Sequence, residues 1–306
     1  MKNHCCILLL VSFICLRLNG QYYFSGNNNN EEPELLWELG GSIGAMNCLT
    51  DLGGAKGIGK KFIKDINWSK TQFCGGLFVS ATWHSLIAVR MEGIYGQVTA
   101  SDDVLKNVYD IARERYLRNL HFKSAIAEIA LTTEFHPLFL NTAEDAQAPL
   151  FSPYFTAGFG IFHYNPQTMF NNNWVDLRPL HTEGQGFREY PDRPVYKSTS
   201  WCIPMGAGIK YDKAGMVNYR FEIVYRMTGT DYLDDVSTNY INPELFTHYM
   251  PAQQAAMAVQ LTDRSKSVTG SNRTNEGSKR GNPNDKDAYF TFNIKISLTL
   301  NRGKHK

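Results

Sequence analysis

A segment rich in glycine and lysine is the first part of the chain whose residue types match a known chemistry. Residues 54–60 read Gly-Ala-Lys-Gly-Ile-Gly-Lys, the spacing of a loop that wraps nucleotide phosphates with backbone N–H groups. Such a loop needs Ser or Thr directly after its last lysine to hold a metal ion, and Lys61 stands there instead. We therefore interpret the segment as a basic surface loop and expect no cofactor.

Histidine and serine offer hydrolytic or metal chemistry, but their spacing is poor. No two of the histidines between the predicted signal peptide and the C-terminal tail have metal-ligand spacing on one element: they are His84, His121, His136, His163, His181 and His248. A Ser–His–acid site with Ser85 or Ser124 as nucleophile, in a barrel enzyme that acts on lipid or lipopolysaccharide, remains an alternative, since triads are defined by geometry. We expect no catalytic residue and no metal ligand.

An acidic run and three cysteines complete the candidates. Residues 231–235 read Asp-Tyr-Leu-Asp-Asp, and such carboxylates either bind calcium or order a loop against nearby Arg and Lys; we favour the ordered loop. Cys48 and Cys74 flank one predicted loop and Cys202 lies far from both. One interpretation is a disulfide between Cys48 and Cys74. The other, which we favour, is that all three cysteines are small residues within strands.

The ends of the chain indicate export. Residues 1–20 have a basic start, a short apolar run and a small residue before Gln21, as in a secretory signal peptide. Residues 21–33, with four consecutive Asn, are predicted to be disordered, and 301–306 form a polar tail. Beyond the signal no apolar stretch is long enough for a membrane-spanning helix. The net charge of +2 gives no electrostatic support for a nucleic-acid partner.

The dominant pattern in the rest of the chain is alternation with period two. In residues 217–227 and 290–300 every second residue is apolar, and the residues between are polar or charged. Six further segments follow the same rule, at 35–45, 73–83, 87–95, 125–135, 155–161 and 201–209, the last with a disruptive Pro204. Eight strands of about 9–11 residues each suit a tilted membrane strand.

The connections alternate in length, which predicts a topology. Short or moderate turns follow the second, fourth and sixth strands, and the long connections are residues 50–72, 99–119, 165–199 and 230–287. We expect a helix from Asp102 or Asp103 to about Tyr116, another over residues 252–261, and a flexible loop over 262–287, within the long connection 230–287. The strand count and the alternating connections therefore predict an eight-stranded antiparallel transmembrane β-barrel that spans residues 34–300.

Charged residues on the polar faces favour this barrel over a soluble β-sandwich. Five acids face five bases, which suits the filled interior of a barrel too narrow for a channel. The predicted lumen charges are Glu38, Glu92, Glu128, Glu134, Glu222, Arg90, Lys210, Arg220, Arg226 and Lys295.

Five strings of residues, in order along the chain, resemble one family. They are Asp51-Leu52-Gly53 with residues 119–124, residues 152–167, Thr182-Glu183-Gly184-Gln185-Gly186, residues 230–237 (Thr-Asp-Tyr-Leu-Asp-Asp-Val-Ser), and Arg280-Gly281-Asn282-Pro283. Together they are similar to PorG-type outer-membrane barrels of the type IX secretion system. The positions that carry the likeness include Asp231, Tyr232, Asp234, Asp235, Glu183, Gly184, Arg280, Gly281 and Asn282.

The resemblance implies a non-enzymatic protein of the cell outer membrane. Its implied partners are outer-membrane lipid and the periplasmic ring of the secretion machine, built from a lipoprotein and its partner protein (PorK and PorN). A general adhesin-like or structural barrel is the remaining alternative. No cofactor and no nucleic acid are implied.

Overall fold

The computed structural model describes residues 35–53, 68–106, 113–140, 149–213, 215–272 and 274–301. The predicted signal peptide, residues 21–33, the loop at 54–60 and residues 302–306 of the tail lie outside these ranges.

Nine strands and four helices are present in the described residues. The strands are β1 (Leu35–Leu49), β2 (Gln72–Trp83), β3 (Ile87–Ser101), β4 (His121–Phe135), β5 (Phe151–Phe170), β6 (Asn173–Asp176), β7 (Thr199–Asp212), β8 (Val217–Thr228) and β9 (Ala288–Thr299). The helices are α1 (Arg113–Arg118), α2 (Leu245–Tyr249), α3 (Ala252–Thr262) and α4 (Lys266–Thr269).

Eight of these strands form one closed antiparallel barrel. The order is β4-β3-β2-β1-β9-β8-β7-β5, and β4 also pairs with β5. The first and last strands of the chain therefore lie side by side, with Ile43 opposite Ile294. Short β6 pairs only with the end of β5, as a hairpin that rises beyond the barrel. The predicted fold class is confirmed.

The two ends of the barrel differ. Residues 84–86 make a tight turn between β2 and β3, and β7 ends and β8 begins at the same end of the barrel, where Leu35 and Thr299 also lie; we call this the turn end. Asn301 ties the chain ends together there, since its side chain accepts from Trp37 N at 2.9 Å and donates to Leu35 O at 2.6 Å. β4 ends and β5 begins at the turn end too, and the four longest connections, after β1, β3, β5 and β8, are at the opposite, loop end.

Alternation along the strands determines which side chains point inward. In β4, buried residues alternate strictly with more exposed residues from Phe122 to Phe135. Glycines make room where an interior ring is large. A Cβ on Gly40 would lie 2.5 Å from both the Phe78 ring and Ile296 O, so only glycine lets that ring fill the lumen.

Several predicted segments differ in the structure. Strand β5 has 20 residues, and burial still alternates in its upper part. The outward residues there, His163, Asn165 and Gln167, are polar, so the apolar pattern of the sequence ends where β5 leaves the apolar wall and pairs with β6. Residues Asp102–Leu105 form a 3-10 turn, capped by Ser101 Oγ rather than by an aspartate. In the described residues of this connection the α-helix is Arg113–Arg118. Asp102 is not free to cap because its carboxylate is bonded to Arg118.

The long connection before β9 is more structured than its composition predicts. The predicted helix over 252–261 is confirmed as α3. Instead of a flexible loop, residues 262–287 contain α4 and a buried Arg280. Arg280 N and Gly281 N both donate to Thr238 O.

Pro204 interrupts the wall between β5 and β7. Ala157 pairs with Met205 and Gly160 with Cys202, and no pair joins the strands between them. The gap follows from the missing N–H of proline. Pro204 still lies opposite Arg226 on its other side, so the barrel remains closed.

Candidate functional site

The outer wall of the barrel is apolar. Large hydrophobic side chains point outward on all eight strands of the barrel, with Leu39 53 %, Ile129 67 % and Phe221 52 % exposed. A soluble protein rarely exposes a contiguous apolar surface of this extent. Closure leaves no unpaired strand edge, and an outward apolar band is what a lipid-spanning barrel needs. Wall and closure together define the class: a transmembrane β-barrel of the outer-membrane type.

The interior is charged, and its charges are paired. Glu38, near the turn end, is bound by Lys210 Nζ at 2.5 Å and by Arg220 Nη2 at 2.6 Å. Ser297 Oγ donates to the same carboxylate at 3.1 Å. These partners come from β1, β7, β8 and β9, so one buried carboxylate joins four strands.

A second group of ion pairs fills the middle of the lumen. Arg90 contacts Glu134 and lies 2.8 Å from Glu222. Lys295 Nζ lies 2.5 Å from Glu92 and 2.8 Å from Glu222. Arg90 meets a third acid, Glu92, at 3.4 Å, and Lys295 meets two, which offsets the cost of removing these charges from water.

An aromatic ring lies among these cations. Phe78 has Arg220 5.5 Å, Lys295 5.4 Å and Arg90 5.9 Å from its centroid. The negative face of an aromatic ring attracts cations at such distances. The ring thus occupies the axis of the barrel and lowers the repulsion among three like charges.

The last charge pair lies toward the loop end. Arg226 Nε is 2.6 Å from Glu128 Oε2, and the Tyr289 hydroxyl donates to the same oxygen at 2.8 Å. With this pair, all ten predicted lumen charges lie inside the barrel, with exposed fractions between 0 % and 6 %. The lumen is filled with side chains.

A Ser–His–acid arrangement occurs inside the barrel, at a serine that the sequence did not single out. His136 Nδ1 lies 3.0 Å from Ser152 Oγ, and His136 Nε2 lies 3.4 Å from Glu134 Oε2. All three side chains are at most 3 % exposed. Glu134 is already bound to Arg90, so the arrangement is part of the packed interior.

The serines that the sequence did single out lie elsewhere. Ser85 is in the tight turn after β2, next to His84. Ser124 is buried in β4, and its Oγ accepts from Asn165 N at 3.0 Å. Neither serine has a hydrogen bond to a histidine among the described contacts.

A network of buried polar residues, which we call the cap, closes the loop end. Arg280 Nη1 lies 2.8 Å from Glu183 Oε1 and donates to Asp235 O at 2.6 Å. Thr182 Oγ1 and the Tyr196 hydroxyl donate to the two oxygens of Asp235 at 2.5 Å and 2.6 Å. Glu183 also accepts from the backbone N–H groups of 237 and 238. Two connections that are distant in sequence, the one before β7 and the one before β9, are joined here.

Arg118 extends the cap toward the first loop. Its Nε and Nη2 donate to the two oxygens of Asp102 at 2.8 Å and 2.9 Å, a bidentate pair. Its remaining nitrogen donors reach Arg280 O at 2.5 Å and Asp51 O at 2.8 Å. One guanidinium therefore holds three loops together.

The acidic run at 231–235 orders the cap through backbone donors. Asp234 accepts from Leu52 N at 3.1 Å and Val236 N at 2.9 Å, and Asp287 accepts from Leu233 N at 2.8 Å. The described residues contain no group of three His, Cys, Asp or Glu placed to hold a metal ion. The interpretation of the run as a loop-ordering element agrees with these contacts.

Burial also changes the acidity of these carboxyls. Removal from water raises the pKa of Asp234 well above its usual range, and nearby Asp51 adds to the effect. Burial raises the pKa of Asp231 to about 7 and that of Asp235 to about 6, despite Arg280 beside the latter. The cap therefore contains more carboxyl groups than arginines, and protons bound to the carboxyls neutralise part of this excess of negative charge.

Two glycines and one backbone N–H of the family-like strings have specific packing or hydrogen-bond partners in the cap. Gly184 has φ +73°, and a Cβ there would lie 2.7 Å from the Tyr190 ring. A Cβ on Gly281 would lie 2.7 Å from Asp51 Oδ2, the oxygen that also accepts from Asn282 N at 2.6 Å. The nine positions therefore belong to one structural unit.

The cysteines and helices complete the description. Cys48, Cys74 and Cys202 are free and buried, so no disulfide joins the first two. None of the helices in the described part of the chain has the length and apolar character needed to cross a membrane.

Comparisons with known proteins find structural likeness only. No protein-family model and no curated protein matches the sequence. Among solved structures, Ail of Yersinia pestis has 9 % identity, covering 86 % of this chain and 99 % of its own, with a TM-score of 0.35. The N-terminal β-barrel domain of Pseudomonas aeruginosa OprF has 8 % identity, covering 88 % and 100 %, with a TM-score of 0.32. Neisserial surface protein A has 5 % identity, covering 89 % and 100 %, with a TM-score of 0.37.

Proposed function

We propose that this protein is a non-enzymatic outer-membrane subunit of the type IX protein secretion machinery. In this role the barrel anchors in the outer membrane, and its turn end faces the periplasmic ring formed by the PorK-like lipoprotein and its PorN-like partner. The proposal rests on the resemblance to PorG-type barrels, because no curated protein matches the chain.

The observation that carries the proposal is the convergence of the family-like strings. Glu183, Asp235 and Arg280 come from three of these strings and contact one another in the cap. Asp51, from a fourth string, accepts from Asn282 N. Strings that only shared composition with a family would have no reason to meet in one buried network.

The filled lumen supports an anchoring role over a conducting one. Buried ion pairs such as Glu38 with Arg220 and Glu222 with Lys295 cross the interior between strands. Eight-stranded barrels are just wide enough for side chains to fill. Transport of a folded cargo through this lumen would require dismantling those pairs.

Absence of catalysis is part of the proposal. The Ser152–His136–Glu134 arrangement lies within the packed interior, and both oxygens of Glu134 are near bases. A nucleophile must come within reach of a substrate atom, and Ser152 is only 3 % exposed. We infer that these residues tie β4 to β5.

Photo-crosslinking in living cells tests the proposal. A photoreactive amino acid replaces exposed His84 or Lys213 at the turn end, and exposed Lys266 of α4 at the loop end serves as the matched control. We expect irradiation to link both turn-end positions, and not Lys266, to the ring lipoprotein or its partner.

The opposite result is equally clear. Capture of no ring protein from either turn-end position, with normal ring assembly and secretion in a strain that lacks the protein, would exclude the role. Crosslinks to the ring from Lys266 alone would place the ring at the wrong end of the barrel.

A further inference from the structure

A cavity of about 320 Å³ opens at the loop end and is not used by the proposed role. It lies where β7 begins and β8 ends, and its lining includes Tyr196, Lys197, Gly229, Asp231, Tyr232 and Lys286. We call it the notch. Its volume is at the lower end of the range for small-molecule sites, roughly 300–1,000 Å³.

One wall of the notch is a rigid aromatic stack. Tyr196 lies between Tyr232, with centroids 4.6 Å apart and planes at 8°, and Tyr164, at 6.3 Å and 11°. The hydroxyl of Tyr196 is fixed by Asp235 at 2.6 Å, and that of Tyr164 pairs with Thr230 at 2.9 Å. Such a fixed stack presents a flat surface with polar edges.

The charged groups of the notch are weakly held, and Lys286 Nζ donates a long hydrogen bond to Pro283 O at 3.5 Å. Lys197 and Lys286 are exposed, and neither forms an ion pair within the described part of the chain. Asp231 accepts a hydrogen bond at its Oδ2 from Ser237 Oγ at 2.6 Å. Its Oδ1 is buried and has no hydrogen-bond partner among the described residues. A buried acceptor without a donor is costly and is expected to find one.

The mouth of the notch lies at the edge of the apolar wall. Trp201 points outward on β7 and is 47 % exposed. A Cβ on Gly229 would lie 2.4 Å from its indole, so glycine allows the ring to cross the end of β8. Tryptophan and lysine together mark the headgroup level of a membrane barrel. Lys197 is four residues before Trp201, on the side away from the apolar band.

We propose that the notch binds an acidic sugar, one carrying phosphate or carboxylate, such as the headgroup of an outer-leaflet glycolipid. The two lysines hold the anionic group, Oδ1 of Asp231 accepts from a sugar hydroxyl, and the tyrosine stack meets the apolar face of the ring. This inference is independent of assembly with the ring.

Binding of glucose 1-phosphate to the mature protein in detergent micelles tests the proposal. We expect saturable quenching of tryptophan fluorescence, with glucose and inorganic phosphate each binding at least tenfold more weakly. The double variant Lys197→Gln/Lys286→Gln should lose at least tenfold in affinity, and Lys266→Gln, a matched lysine on the same end, should bind as the parent does. Unchanged heat-modifiable gel mobility shows that the variants are folded.

Three results would overturn the proposal: no saturable binding by the parent, equal binding of inorganic phosphate and the sugar phosphate, or unchanged affinity in the double variant. When the parent binds glucose 1-phosphate, a competition experiment identifies the source of the sugar. Displacement of glucose 1-phosphate by lipopolysaccharide micelles assigns the notch to a lipid headgroup, and failure of displacement assigns it to soluble acidic sugars.

Discussion

Arg280 and Glu183 are 97 positions apart in the chain, yet their side chains meet at 2.8 Å in the cap. Neither residue is exposed. The pair joins the connection before β7 to the connection before β9, and Arg280 also donates to the backbone at Asp235. The cap therefore depends on a contact between loops that local sequence does not specify.

Replacing Arg280 by methionine should open the cap. The change leaves Glu183 buried without its cation, a loss worth about 3 kcal/mol or more in similar cases. We expect hydrogen exchange of the 230–240 backbone to rise at least a hundredfold, measured by mass spectrometry in detergent. Arg188→Met, at an exposed position in the connection that carries Glu183, is the control and should leave exchange unchanged. Unchanged protection in Arg280→Met would contradict the account of the cap.

Removing a lumen arginine should destabilise the barrel itself. Arg220→Leu leaves Glu38 with Lys210 as its remaining base, and Arg226→Leu removes the cation beside Glu128. We expect each variant to lose about 3 kcal/mol, seen as a lower temperature for the heat-modifiable shift in gel mobility. Tyr219→Leu, on the outer wall, should shift little. If both arginine variants unfold at the parent temperature, their interior pairs contribute no stability.

Cap stability should fall as pH rises. Burial raises the pKa of Asp231 to about 7, above the roughly 3.9 of an unfolded aspartate. The folded cap therefore holds a proton that the unfolded cap releases, so this stability is complete below about pH 4 and is lost as pH rises through 7. Asp235, with a pKa of about 6, acts in the same direction.

The Asp231→Asn variant isolates this effect. Exchange at Val236 N, which donates to Asp234, is compared at pH 5 and pH 8 after correction for intrinsic rates. Because pH 5 lies about two units below the pKa of Asp231, we expect the parent to lose about a hundredfold in protection over this range, on the scale of tenfold per pKa unit, and the variant to lose less. A steeper pH dependence in the variant would show that Asp231 does not hold the proton.

Ser152 should be inert toward serine-reactive probes. Its Oγ is bonded to His136 at 3.0 Å but is closed off within the barrel. We expect no labelling of the folded protein by a fluorophosphonate, and normal folding of Ser152→Ala. Labelling that is lost in Ser152→Ala would establish a nucleophile and contradict the non-enzymatic proposal.

The strands were predictable from sequence because the signal is local. In β8 the outward set from Val217 to Met227 and the inward set from Asn218 to Arg226 follow the two-residue period of a strand. Each inward charge could be assigned to the lumen, because one face must meet lipid and the other must not. The pairing of Glu38 with Lys210, 172 positions away, could not, because it depends on closure of the barrel.

The contacts within the cap and the notch could not be predicted from a local sequence pattern. Ser152 and His136 meet because β4 and β5 are neighbours, and nothing in the spacing of either residue marks them. Residues 163–170 lost the alternation signal where β5 leaves the apolar wall, which hid the β6 hairpin. Loop contacts such as Arg118 with Asp51 depend on where several connections end, and no periodicity encodes that.

Collision accessibility of spin labels in reconstituted bilayers tests the central claim most directly. Cysteines replace outward Leu39, Ile43, Phe221 and Ile294 one at a time, and the native cysteines are buried and do not label in the folded barrel. We predict that oxygen reaches all four labels far more readily than a polar nickel chelate does, whereas a label at Lys266 shows the reverse. Chelate accessibility at the four wall positions as high as at Lys266 would mean that the wall faces water, and would contradict a barrel that spans the membrane.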